Sequence, residues 1–170
     1  MAPGGGRAYL PAMIDDLYSA RVLALAANMP RSGRLAAPHG TGEATARLCG
    51  SRAVVDVLLD ADGRIADFAQ TVKACALGQA AAGVLGEAVV GASAAEVIAA
   101  RDALAAMLKA GGEGPAGRFE GLRALRQVAD YPARHASTLV ALEATVKALE
   151  AAGGAPPPYA ALGGRGTMRS

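Results

Sequence analysis

The stretch from Arg52 to Val72 constrains the fold most. A β-rich run, Arg52 to Leu59, meets the turn signal Asp60-Ala61-Asp62-Gly63, and Arg64 to Val72 returns as a second run. Asp accepts hydrogen bonds from backbone amides two residues on, and Gly tolerates positive φ. The two runs therefore predict an antiparallel hairpin. Beyond it the pattern changes from strand to helix and does not change back. Strands first and helices afterwards predict an α+β fold, not a doubly wound parallel sheet.

The flanking segments fill in that picture. From Leu10 to Ala27 the apolar residues Leu10, Met13, Ile14, Leu17, Val22 and Leu25 fall at helical spacing, and Pro30 and Gly33 end the helix. Arg34 to Cys49, rich in Gly, Pro, Thr and Ala, reads as a short edge strand followed by a long loop. Cys75 to Val90 is crowded with Ala and Gly, as expected of a helix pressed tightly against a sheet. Ser93 and Glu96 have the spacing of a capping box. The helix they open carries Val97, Ala100, Leu104, Met107 and Leu108 on one stripe and stops at Gly111-Gly112. Phe119 to Val128 reads as a short helical piece. A last helix after Pro132 has the stripe Leu139, Leu142, Val146 and Leu149, with Glu143 and Lys147 four apart on its wet face. The expectation is a three-stranded antiparallel sheet with helices on one face, in a domain over residues 9–151. Residues 1–8 and 152–170 read as Gly- and Pro-rich tails.

Aromatics are 4% of the 170 residues and tryptophan is absent, so the core must be built from Ala, Val and Leu. A net charge of +2 with no basic run gives nothing for a nucleic-acid partner. No stretch reads as a membrane span or a secretory signal, which points to the cytoplasm. Thiols stay reduced there, so Cys49 and Cys75 are each a buried small hydrophobe or a working thiol.

Three residues stand at element boundaries, where distant segments converge on one rim of a sheet. Cys49 lies in Leu48-Cys49-Gly50-Ser51 before a strand, Cys75 between a strand and a helix, and His135 at the mouth of the last helix. Thiolate and neutral imidazole are the ligands zinc and iron–sulfur clusters favour. A thiol at a helix N-terminus is also helped to ionise, which makes Cys75 the more nucleophilic. Their spacing matches no zinc-finger pattern. Arg31, Arg34, Arg47 and Arg52 surround the Cys49 loop and read as a solvated face; His39 reads as an exposed loop residue. There is no Gly-x-Ser-x-Gly elbow and no His-Glu-x-x-His pair.

From Leu17 to Leu149 the order of segments resembles the NifU/IscU/SufU family of iron–sulfur cluster scaffolds. The resemblance is carried by Asn28-Met29-Pro30-Arg31-Ser32-Gly33, Cys49-Gly50-Ser51, Asp62-Gly63-Arg64-Ile65-Ala66-Asp67-Phe68, Ala74-Cys75-Ala76 and Pro132-Ala133-Arg134-His135-Ala136-Ser137-Thr138-Leu139. It implies a non-enzymatic scaffold that binds iron, a [2Fe–2S] cluster or zinc. It also implies that sulfur arrives as a persulfide from a cysteine desulfurase, with other cluster-assembly proteins as further partners. On this resemblance Cys49, Cys75 and His135 are the metal- or cluster-binding residues, and Cys75 is the persulfide acceptor. The family's aspartate falls on Ser51 and its third cysteine on Ala136. Neither is a useful ligand, because a methyl group cannot bind metal and a serine hydroxyl does not ionise near neutral pH. A chain so altered is either a scaffold completed from outside or a non-assembling relative that serves as an interaction module.

Overall fold

The computed structural model describes residues 19–153. The expected tail 1–8, the start of the Leu10–Ala27 helix and all but the first two residues of the tail 152–170 lie outside the described residues.

The hairpin forms as its residues dictate. β2 (Ser51–Leu59) and β3 (Ile65–Lys73) pair antiparallel. Asp60 Oδ1 accepts the amides of Asp62 (2.9 Å) and Arg64 (3.0 Å), while Gly63 takes φ +79°. The first strand, β1 (Gly40–Ala46), joins the free side of β2 to give the order β1-β2-β3. Here the sequence expectation is reversed: the loop comes first, and only the Arg47–Gly50 turn separates β1 from β2. The reason lies in what β1 packs against. Its inward residues are Gly40, Gly42, Ala44 and Ala46, too small to announce a strand by β-propensity. A Cβ placed on Gly42 would stand 2.3 Å from the Ala144 carbonyl oxygen, so the helix backbone lies directly on the sheet. At the opposite edge, the Gln70 amide donates to Arg31 O (2.9 Å) and the Gly33 amide to Gln70 O (2.8 Å), tying the Pro30–Gly33 turn to β3.

Helix α1 (Ala20–Ala27) leads, and α2 (Ala76–Ala88), α3 (Ala94–Ala110) and α4 (His135–Ala151) follow the sheet. All lie on one face, while Thr41, Glu43, Thr45, Arg52 and Thr71 face outward. Ser93 and Glu96 close the expected capping box, and Gly111 ends α3 at φ +75°. Between α3 and α4 the backbone runs as a 3₁₀ segment, Gly117–Asp130, which lays Phe119, Leu122, Leu125 and Val128 over α2 and α3.

The last helix is not amphipathic as its stripe implied. Ser137, Thr138, Val140, Ala141, Ala144, Thr145 and Ala148 are buried along with Leu139, Leu142, Val146 and Leu149. α4 is the middle layer, with β1 and β2 on one side and α2 and α3 on the others. Glu143 accordingly turns to Arg101 of α3 (2.8 Å), not to Lys147. Small side chains permit this central placement, since close-packed interiors need complementary shape more than bulk.

Candidate functional site

At one end of the sheet, the turn before β2, the loop after β3 and the start of α4 meet. Cys49 sits in the exposed Arg47–Gly50 turn, which Gly50 closes at φ +72°. Cys75 is the N-cap residue of α2 and is half-buried. Ser51 opens β2 and Ser137 lies in the first turn of α4, both buried.

A continuous hydrogen-bonded chain joins the four. Cys49 Sγ is 3.1 Å from Ser51 Oγ, the Ser51 hydroxyl donates to Ser137 Oγ (3.3 Å), and Ser137 Oγ is 3.0 Å from Cys75 Sγ. Glycine makes the last contact possible. A Cβ on Gly78 would stand 2.6 Å from the Ser137 carbonyl oxygen, so only glycine lets the first turns of α2 and α4 cross this closely.

Both thiols are shifted toward the thiolate. Ser51 holds the Cys49 thiol below its ordinary value against the opposing effect of burial, with help from Ser137. Burial pushes the Cys75 thiol up. It is outweighed by the Ser137 hydroxyl, the Gly78 and Leu77 amides at the helix N-terminus and the Arg134 guanidinium, so Cys75 is also lowered. Donors aimed at a sulfur favour its charged form, and a helix N-terminus adds to that preference.

With Ser51 donating to Ser137, the Cys49 S–H can donate to Ser51 and the Ser137 O–H to the Cys75 sulfur, so one run of hydrogen bonds passes from Cys49 to Cys75.

The structure brings Cys49 and Cys75 to one place and leaves His135 out of it. The His135 ring is buried, and its Nε2 meets the Val128 carbonyl at 3.0 Å and the Ala129 carbonyl at 3.3 Å. Carbonyls only accept, so Nε2 carries a proton and fastens α4 to the 3₁₀ segment. Ala136, expected opposite the family's third cysteine, points to the exposed side, and Ser137 occupies the inner place. Sequence reasoning missed Ser137. The signal was available: Ser137, Ala141, Ala144 and Ala148 recur at helical spacing as a small-residue face.

The residues present do not fit a closed metal centre. Among the described residues no group of three or more His, Cys, Asp or Glu side chains is placed to hold one ion. Two thiols and two hydroxyls fall short of the four N, S or carboxylate ligands a tetrahedral site takes. The arginines expected around Cys49 are mostly engaged. Arg31 pairs with Asp67, Arg34 with Asp56 and Arg52 with Glu43. His39 is engaged too, its Nδ1 accepting the Leu59 amide (2.9 Å).

The fold is thus a three-stranded antiparallel sheet, backed on one face by helices, that gathers two cysteines and two serines at one end. The family model described as NifU-like N terminal domain matches residues 17–138, most of the chain, and the chain belongs to that family. It is similar to a nitrogen-fixing NifU-like protein (N-terminal) from Brucella abortus, with 46% identity and a TM-score of 0.80 over 82% of this chain and 96% of that one. It shares its fold with a putative iron–sulfur cluster assembly scaffold protein for the SUF system from Fervidobacterium islandicum AW-1. There the identity is 21% and the TM-score 0.71, over 79% of this chain and 98% of that one. A hypothetical protein of solved structure has the same fold, with 23% identity and a TM-score of 0.67 over 80% and 98% of the two chains. No curated protein matches the chain. Family membership supports a role in iron–sulfur cluster assembly, and no described helix is long and apolar enough to cross a membrane.

Proposed function

We propose that this protein serves iron–sulfur cluster assembly in the cytoplasm as a sulfur acceptor, taking sulfur as a persulfide on Cys75 from a cysteine desulfurase. It acts as a carrier and does not turn over a small-molecule substrate. The observation that carries the reading is the setting of Cys75: half-buried at a helix N-terminus, with the Ser137 hydroxyl oxygen 3.0 Å from its sulfur. A thiol lowered in this way is more nucleophilic than a free one, and the same surroundings favour the anion of a persulfide. Iron, a [2Fe–2S] cluster or zinc is the cargo the family implies. This chain offers it the Cys49 and Cys75 thiolates, and the remaining ligands come from a partner. The working unit spans residues 9–151.

The test is transfer of labelled sulfur. A pyridoxal-phosphate cysteine desulfurase given radiolabelled cysteine is mixed with the reduced chain, and the bound label is read on a non-reducing gel. The label appears on the Cys49→Ser chain, leaves on reduction and is lost when Cys75→Ser is added. An unlabelled Cys49→Ser chain overturns the reading.

The serines at positions 51 and 137 favour a second reading, that of a non-assembling relative acting as an interaction module. In that case the desulfurase binds the chain equally well after Cys49→Ser and Cys75→Ser, and no label is transferred.

A further inference from the structure

The site carries two thiols, and sulfur acceptance uses only one. Cys49 has no role in holding the fold: it is exposed, in a turn, beside Leu48, which is 84% exposed. Yet its sulfur is bound into the same hydroxyl chain as Cys75, two hydroxyls away. We propose that Cys49 is a resolving thiol that discharges the Cys75 persulfide, releasing its outer sulfur as hydrogen sulfide and leaving a Cys49–Cys75 disulfide. The inference rests on Cys75 accepting sulfur and adds what becomes of that sulfur.

The step balances. Cys49 sulfur attacks Cys75 Sγ and forms the new S–S bond, while the bond between Cys75 Sγ and the outer sulfur breaks. The outer sulfur leaves with the electron pair of that bond and is reduced from the sulfane to the sulfide level. The two cysteine sulfurs are oxidised from thiol to disulfide, so no outside oxidant is needed. Cys49 starts protonated in the hydroxyl chain. Its proton passes to Ser51, that of Ser51 to Ser137, and that of Ser137 to the departing sulfur. Attack then needs no prior loss of a proton to solvent. A dithiol reductant afterwards restores both thiols.

Three observations favour this over simple storage. A resolving thiol must approach the inner sulfur of the persulfide, and Cys49 and Cys75 flank the paired strand ends Arg52 and Lys73 and are joined through only Ser51 and Ser137. The leaving sulfur needs a proton, and the serines form a path for one. With no third metal-binding side chain placed beside them among the described residues, the two thiols are free to react with each other until a partner completes a site. Thiolate attack on a sulfur–sulfur bond with expulsion of the better leaving group is ordinary exchange chemistry.

The test uses the full reduced chain, freed of metal, under anaerobic conditions. Inorganic polysulfide is added briefly and removed by desalting, and intact mass and free sulfide are followed. The Cys49→Ser chain should gain one sulfur atom and keep it. The wild type should end two hydrogens lighter than the reduced chain, having released one sulfide per chain. Ser51→Ala with Ser137→Ala should retain the added sulfur at least several-fold longer, with closure moved to higher pH. Far-UV circular dichroism verifies that the variants fold, and Cys49→Ala serves as a second replacement. A wild type that keeps its extra sulfur as long as Cys49→Ser overturns the resolving role while leaving acceptance intact. Failure of Cys49→Ser to gain sulfur overturns acceptance itself.

Discussion

Replacing Gly78 with alanine tests whether the crossing of two helix N-termini makes the site. The new methyl would stand 2.6 Å from the Ser137 carbonyl oxygen and 2.7 Å from Ala74 Cβ, where real Cβ atoms are essentially never closer than 3.0 Å. The first obstacle is backbone, so α2 and α4 must part by several tenths of an ångström. Forcing extra volume into a packed contact costs about 1–3 kcal/mol, and alanine returns up to about 1 kcal/mol of helix propensity. The net expectation is a loss of about 1–2 kcal/mol, read as a lower urea midpoint at unchanged slope. Parting the helices also draws Ser137 away from Cys75, weakening the contact that holds its thiol down. In a Cys49→Ser background, the pH profile of Cys75 alkylation should therefore move upward in Gly78→Ala. A variant as stable as its parent with the same alkylation profile would refute both the steric reasoning and the role given to the crossing.

Ser137→Ala should raise the pH midpoint of Cys75 alkylation without lowering the unfolding free energy, read by urea denaturation, by more than about 1 kcal/mol, the net worth of one hydrogen bond. The same change should move Cys49 less, because Ser51 is its principal partner; equal shifts would sink the assignment of partners. Asp56 is buried, and burial pushes its carboxyl up. It is held below the usual carboxylate range nonetheless by Arg34, the Thr41 hydroxyl and the Leu35 amide. A group lowered in the folded state stabilises above its unfolded value, and that stability is lost as pH falls through the folded one. Asp56→Asn should thus cost about 2 kcal/mol at pH 7 and flatten the acid limb of the stability curve below about pH 5, both read by denaturation at several pH values. Ser93→Ala removes one half of the capping box on α3 and should cost about 1 kcal/mol; an unchanged melting temperature would show that the cap contributes nothing.

The parts of the fold legible in sequence were those with local chemical causes. Asp60 and Gly63 make their own turn, Ser93 and Glu96 their own cap, and Gly111 its own stop, so each could be read without knowing the neighbours. β1 was misplaced because its inward residues are glycine and alanine, chosen for the helix backbone they touch and not for strand propensity. The Glu143–Lys147 pair gave way to Glu143–Arg101 for a related reason: α4 has neighbours on nearly every side, which no stripe of leucines reveals. At the site, Cys49 and Cys75 were visible as boundary residues. His135 was drawn in by its chemistry, yet its ring is turned to the carbonyls of the 3₁₀ segment. Ser137 was hidden because a serine carries no signature of its own. Its place follows only from which face of α4 meets the sheet.

The central position of α4 has a consequence for the order in which the molecule can be made. Strands β1 to β3 end at Lys73, whereas the helix that covers their inner face begins at His135 and ends at Ala151. During synthesis the sheet therefore waits with its apolar side bare while some sixty further residues emerge, so a ribosome-bound chain halted before position 135 should be a ready client for holdase chaperones. The Ser137 hydroxyl that links the two thiols likewise arrives only with that late segment. Until then Cys75 lacks the hydroxyl that helps hold its thiol down.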